Sequence, residues 1–135
     1  CFITFFIAEI DAASGEICYS NAGHNAPIIM RANGNAERLG PTGLILGIAP
    51  DAQYEEKTAH LNPGDTLLLF SDGVTEPHNP DLDEEFGEER LVSLLKEVRL
   101  HSAVHVIEAV RREVAGFTGG APASDDMTLV VARRV

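Results

Sequence analysis

No apolar run in this sequence approaches the roughly 20 residues that a membrane-spanning helix needs, so bilayer insertion is not expected. The apolar opening, Cys1 to Ala8, is too short for that role. It also lacks the basic flank and small-residue cleavage site of a signal peptide. Basic residues are scarce as well: 10 Lys and Arg stand against 21 Asp and Glu, a formal net charge of −11. A field of that sign repels phosphate backbones and anionic headgroups, which argues against nucleic-acid or membrane-surface partners. It suits divalent cations, although an acidic surface also serves solubility alone. The two cysteines, Cys1 and Cys18, form neither a CxxC pair nor a disulfide framework, so reduced thiols in a cytoplasmic protein are expected.

What is present reads as one α+β domain over residues 1–135, with no repeat and no low-complexity linker. Phe2 to Ala8 is apolar on both faces under a period of two, the pattern of a strand covered on both sides. Asp11 to Gly15 supplies a turn, and Glu16 to Ser20 returns as a second strand. Asn21 to Pro27 is loop chemistry, followed by a short strand at Ile28 to Met30 and a hairpin signal at Asn33-Gly34. Gly40, Pro41, Gly43 and Gly47 break the stretch around Leu44 to Leu46, and Tyr54 to Leu61 alternates like a half-exposed strand. Pro63-Gly64-Asp65 then turns into Thr66 to Phe70, the best candidate for a central strand.

Two helices follow. Leu91, Leu94, Leu95 and Val98 share one face of Glu88 to Val98. Ser102 is placed to cap a second helix, with Ala103, Val106, Ile107, Val110, Val114 and Phe117 as its apolar stripe. Gly119 to Pro122 ends the helical region, and Met127 to Ala132 is the closing strand. Strands first, then two consecutive helices, then one strand argues for antiparallel sheet with helices packed on it. Helices absent from the first half exclude an alternating dinucleotide-binding design.

Carboxylates stand where apolar strands meet loops. Asp72 follows the Thr66 to Phe70 run, and Asp125 and Asp126 precede the closing strand. A carboxylate at a buried strand end is costly unless its charge is compensated, and hard cations such as Mg²⁺ or Mn²⁺ do this with oxygen ligands. Gly73 beside Asp72 would let the backbone approach a ligand or bound water closely. The plainer alternative is that Ser71-Asp72-Gly73 and Ser124-Asp125 are ordinary turns. Likewise, the acids Asp81, Asp83, Glu84, Glu85, Glu88 and Glu89 read most simply as a solvated loop and helix start.

Four segments occur in order: Asn21-Ala22-Gly23-His24-Asn25-Ala26-Pro27, Pro63-Gly64-Asp65 leading to Ser71-Asp72-Gly73-Val74-Thr75-Glu76, Phe86-Gly87-Glu88-Glu89-Arg90-Leu91, and Ser124-Asp125-Asp126-Met127-Thr128-Leu129. The series resembles the metal-dependent (PPM-type) serine/threonine protein phosphatases, most closely the bacterial branch named for the stage II sporulation E phosphatase. That resemblance implies an antiparallel β-sandwich flanked by helices on both sides (αββα) and two Mn²⁺ or Mg²⁺ ions at its edge. It implies hydrolysis of phosphoserine or phosphothreonine by metal-activated water, with no covalent phospho-enzyme. Asp72 and Asp125 match family metal ligands, Asp126 a supporting position, and Glu76 an acid for a weaker third ion. Asn21 and His24 are expected to order their loop. The general-acid His of the eukaryotic relatives belongs to an amino-terminal motif with no counterpart here. His60, His78, His101 and His105 show no ligand spacing.

The family's first motif, an Asp-Gly segment whose Asp bridges both metals, has no counterpart before Asp72, where the acids preceding residue 16 are Glu9 and Asp11. The first residue is Cys rather than Met, so the protein is expected to begin upstream and its amino-terminal portion to be missing here. Taken alone the chain is expected to bind metal weakly, to have little activity, and to self-associate through uncovered apolar strand faces. The implied partner is a phosphorylated regulatory protein such as an anti-sigma-factor antagonist, with a sensory or receiver domain upstream. A non-catalytic phosphatase-like binding module and a small acidic domain whose Asp motifs are mere turns are the competing readings.

Overall fold

The computed structural model describes residues 1–121 and 125–135. In chain order its elements are β1 (Phe5–Ile10), β2 (Glu16–Ala22), β3 (Ile28–Met30), β4 (Ala36–Arg38), β5 (Lys57–His60) and β6 (Thr66–Phe70). There follow α1 (Asp72–Thr75), β7 (His78–Asn79), β8 (Glu84–Glu85), α2 (Gly87–Val98), α3 (Ala103–Phe117) and β9 (Leu129–Arg133). The strands form two antiparallel sheets, ordered β1-β2-β5 and β4-β3-β6-β9, plus the small β7-β8 ribbon.

Alternation along the strands sorts the side chains into two cores. Phe6, Ala8, Ile17, Tyr19 and Ala59 of the first sheet meet Ile29, Leu67, Leu69 and Ala132 of the second, with Leu39 and Leu61 closing the layer. The opposite face of the second sheet carries Ile28, Met30, Leu68, Phe70, Leu129 and Val131. Onto it pack Leu91, Leu94 and Leu95 of α2 and Val106, Ala109, Val110 and Val114 of α3. A strand covered on both faces is expected to be apolar along its length, which is why Leu67 to Phe70 shows no polar alternation. Each fully buried Leu or Ile there contributes roughly 1.5–3 kcal/mol.

The first sheet differs. The sequence pattern predicts a first strand covered on both sides, but the strand runs from Phe5 and only its Phe6 and Ala8 face is packed. Phe5 and Ile7, pointing the other way, are 49% and 57% exposed. Among the described residues the architecture is therefore sheet, sheet and one helical layer.

Other details also depart from the expectation. Tyr54 to Glu56 do not join β5, because Tyr54 packs over Gly43 and the Glu55 N–H donates to the Thr42 carbonyl (3.2 Å). In the Asn33-Gly34 hairpin only Gly34 takes positive φ, at 93°. The closing strand starts at Leu129 rather than Met127, since the preceding residues turn to bond with Ser71. Ser102 caps α3 as expected, its hydroxyl accepting from the His105 N–H at 3.2 Å.

One buried charge pins the start of β6. Asp65, 2% exposed, accepts from the Arg31 guanidinium (2.6 Å) and from the N–H groups of Ala32 and Asn62 (both 2.9 Å). Burial alone would raise its carboxyl pKa; the Arg31 bond and the two amides outweigh it and hold the pKa below the ordinary value. A lowered carboxylate pKa stabilises the fold above its unfolded value, and that stability is lost as pH falls through the folded value. Asp65→Asn, which removes the charge partner of Arg31 on this side while leaving its contacts to Glu37 and the His60 carbonyl, is expected to cost about 1–3 kcal/mol in urea unfolding at pH 7. The gap from the native chain should narrow below about pH 4.

Candidate metal centre

The antiparallel pairing of β6 and β9 puts Phe70 opposite Leu129, so the chain leaving β6 and the chain entering β9 share one edge of the sheet. Ser71 extends the contact beyond the strands. Its N–H donates to the Thr128 carbonyl (3.1 Å), and its hydroxyl accepts from the Thr128 N–H (2.9 Å) and donates to the Asp126 carbonyl (3.3 Å). Asp72, the first residue of α1, and Asp125 are thus brought to the same place from 53 positions apart in the chain.

Gly73 makes that approach possible. A Cβ at this position would lie 2.0 Å from the Asp126 carbonyl oxygen and 2.6 Å from its carbon, a backbone contact that cannot be relieved by a rotamer. Asp126 therefore takes part through its main chain, and its N–H donates to the Asp125 carboxylate at 2.8 Å. Glu76 caps the end of α1, with its N–H on the Asp72 carbonyl (2.8 Å). The Glu76 carboxyl pKa is raised above its ordinary value chiefly by the negative charge of Asp72, then by partial desolvation and by Glu85 and Asp125.

The end of β2 and the loop that follows it face this edge; Asn21 and Ala22, expected in the loop, continue the strand. Asn21 is fully buried: its amide donates to the carbonyls of Leu39 (3.0 Å) and His24 (3.2 Å), and its oxygen accepts from the His24 N–H (2.9 Å). The His24 ring meets the Thr4 hydroxyl at 3.2 Å. The residue that touches a candidate ligand is neither of these. Asn25 donates from Nδ2 to Asp72 Oδ1 at 2.7 Å, a role the sequence reading missed although Asn25 stands inside the loop it singled out.

The burial expected of Asp72 and Asp125 is not found in the structure. Asp72, Glu76, Asp125 and Asp126 are all exposed, because they lie just beyond the sheet edge where the loops open to solvent. Mutual repulsion, registered at Glu76, takes the place of desolvation as the force a cation would relieve. Carboxylate oxygens are the donors that Mn²⁺ and Mg²⁺ prefer, so the residues fit such ions in kind. Among the described residues, no three Asp, Glu, His or Cys side chains converge closely enough to enclose one. Ser124, paired with Asp125 in the sequence reading, lies outside the described residues.

A two-sheet sandwich backed by helices is a fold shared with solved PP2C phosphatase domains. The SiaA-PP2C domain of Pseudomonas aeruginosa superposes with a TM-score of 0.82 at 21% identity, over 96% of this chain and 51% of that one. The Mn-presoaked phosphatase domain of the cell fate determinant SpoIIE from Bacillus subtilis gives 0.70 at 22% identity, over 97% and 56%. The family model for Stage II sporulation protein E (SpoIIE) matches residues 1–135, and the chain belongs to that family of PPM-type phosphatases. The phosphoserine phosphatase RsbU of Bacillus subtilis is 32% identical over 141 residues, covering 98% of this chain and 39% of its own length. The chain thus spans about two-fifths of that relative and about half of the two solved domains.

Two outcomes test this geometry. Gly73→Ala is expected to cost about 1–3 kcal/mol in chemical denaturation, because α1 or the Asp126 backbone must move. For Glu76, a raised carboxyl pKa means that the ionised side chain opposes folding once pH exceeds its unfolded value. Glu76→Gln should therefore raise the melting temperature of the metal-free chain at pH 7, with the gain vanishing below about pH 4.

Proposed function

We propose that residues 1–135 form part of a Mn²⁺- or Mg²⁺-dependent phosphatase domain that hydrolyses phosphoserine or phosphothreonine on a regulatory protein. The observation that carries this reading is the convergence of Asp72 and Asp125 on one sheet edge, with Glu76 close enough to feel both charges. Asp72 and Asp125 would hold the ions, Glu76 would serve a weaker ion, and Asp126 would brace the site through its backbone. Divalent ions bound there supply charge neutralisation for phosphoryl oxygens and a lowered pKa for coordinated water.

The chain's own residues set the stage for that chemistry. Asn25 fixes the rotamer of Asp72, leaving its other carboxylate oxygen free to face a cation. Asn21 keeps the Asn25 loop rigid by tying it to Leu39 and, through its N–H, to the Thr42 hydroxyl at 2.8 Å. His24 orders that same loop rather than transferring a proton. With a net charge of −11 the surface would repel a phosphoprotein, so phosphate binding depends on cations at this edge.

An anti-sigma-factor antagonist is the substrate that best fits the family, and an upstream sensory or receiver domain would control access. RsbU, at 32% identity a phosphoserine phosphatase, supports phosphoserine as the group removed. Among the described residues no helix is long and apolar enough to cross a membrane. The uncovered Phe2, Ile3, Phe5 and Ile7 would drive self-association of the isolated chain. A second reading, a non-catalytic phosphatase-like binding module, is favoured by one observation: the described carboxylates do not enclose an ion.

Calorimetric titration with Mn²⁺ separates the two. Under the phosphatase reading the chain binds Mn²⁺, and Asp72→Asn and Asp125→Asn each abolish most of the heat. Asn25→Ala should weaken binding by about 10–100-fold, the usual effect of losing a group that orients a ligand. In the parent protein, Asp72→Asn should lower phosphoserine-peptide hydrolysis by at least the same factor. Mn²⁺ binding that ignores all three substitutions would sink the assignment.

A further inference from the structure

The hydrogen bonds of Arg90 point inward, towards the ribbon beside the candidate metal centre. From the first turn of α2, one guanidinium nitrogen donates to the carbonyls of Glu85 (2.9 Å) and Phe86 (3.1 Å). The other donates to the Glu84 carboxylate at 2.6 Å, and the guanidinium carbon sits 4.5 Å over the centre of the Phe117 ring at the end of α3. Two carbonyls, a carboxylate and a ring face are served at once. A planar fork with several fixed donors can do this; the point charge of a lysine cannot.

The bonded carbonyls belong to the second arm of the β7-β8 ribbon, and the ribbon returns to the candidate centre within two steps. The Phe86 N–H donates to the Pro77 carbonyl (2.8 Å), and Pro77 follows Glu76, whose own N–H holds the Asp72 carbonyl (2.8 Å). Register places Glu85 opposite His78, on the segment leaving Glu76. The first arm is also tied to α3, because the Asn79 side chain donates to the Phe117 carbonyl at 2.7 Å. The Arg90–Glu84 ion pair is exposed and so contributes little to stability by itself. Its use is geometric: a two-residue-per-strand ribbon does not hold its shape alone.

We infer that Arg90 is a positioning residue: by clamping Glu84 to Phe86 onto α2 and α3, it holds the β7-β8 ribbon, with Glu76 and Glu85, beside Asp72 and Asp125. The link to a metal centre rests on the function proposed above, whereas the clamp itself does not.

Nuclear magnetic resonance on the native chain, Arg90→Lys and Arg90→Gln tests both parts. Amide exchange at Phe86 is expected to speed up by about tenfold in either variant, the loss of one net hydrogen bond, while the Leu68 amide in β6 is unchanged. Added Mn²⁺ should broaden the amides of Asp72, Asp126 and Glu85 in the native chain. In both variants broadening should persist at Asp72 and Asp126 and fall at Glu85. Unchanged Phe86 exchange, or Glu85 broadened as before, overturns the inference; equal acceleration at Leu68 reduces Arg90 to a general stabiliser and also overturns it. Full rescue by Lys removes the fork argument. If Asp72 fails to broaden in the native chain, the metal-centre reading falls, and Phe86 exchange alone then decides the clamp.

Discussion

The pairing of β6 with β9 is the constraint on which the rest of this structure depends, and the apolar side chains of those strands do not determine its register. Leu67, Leu68, Leu69 and Phe70 are hydrophobic on both faces, so a one-residue slip would exchange one apolar set for another. Polar groups at the two ends remove that freedom. At one end Ser71 bonds twice to Thr128. At the other, the Arg134 N–H donates to the Asp65 carbonyl (3.1 Å), and Arg134 reaches across to the carbonyls of Ser14 and Leu61 (both 2.8 Å). Asp65 is itself held by Arg31, so the register is anchored to a buried carboxylate and its half-buried partner.

That register has a chemical consequence at the sheet edge. It sets Asp72 against the segment bearing Asp125, while Gly73 permits contact closer than any side chain would allow. The cluster is a place where the fold tolerates repulsion between carboxylates rather than satisfying each of them. Such local conflict is the usual mark of a site kept for function rather than stability. Support comes from behind: the buried Asn21 organises the loop from which Asn25 orients Asp72.

The two sheets are unequal in their surroundings. The second is enclosed by the first sheet and by α2 and α3, whereas the first leaves Phe5 and Ile7 open to solvent. The same asymmetry reaches the carboxylates, which are exposed and do not close around an ion among the described residues. Two carboxylates on one edge would need further oxygen ligands, arriving from the open side, to hold a hard cation.

Much of this was readable from the chain. Period-two and 3.6-residue patterns located most of the strands and both long helices, Ser102 marked the start of α3, and the ordered motifs pointed to the phosphatase family before any coordinates. Those features are local: neighbours in sequence settle alternation, capping and turn chemistry. Other facts depended on groups distant in sequence. Whether Phe5 and Ile7 would be covered could not be read from their own strand, since an apolar face records a need for burial, not its fulfilment. The burial expected of Asp72 and Asp125 was absent, because a strand's end can open to water even when its middle is enclosed. Nor could spacing reveal that Asn25, 47 positions away, would bond Asp72. The amino-acid sequence by itself determined most of the strands, both long helices and the identity of the candidate ligands. Only the tertiary structure decided which of them meet, because register and loop approach are set by polar contacts between segments that no local pattern encodes.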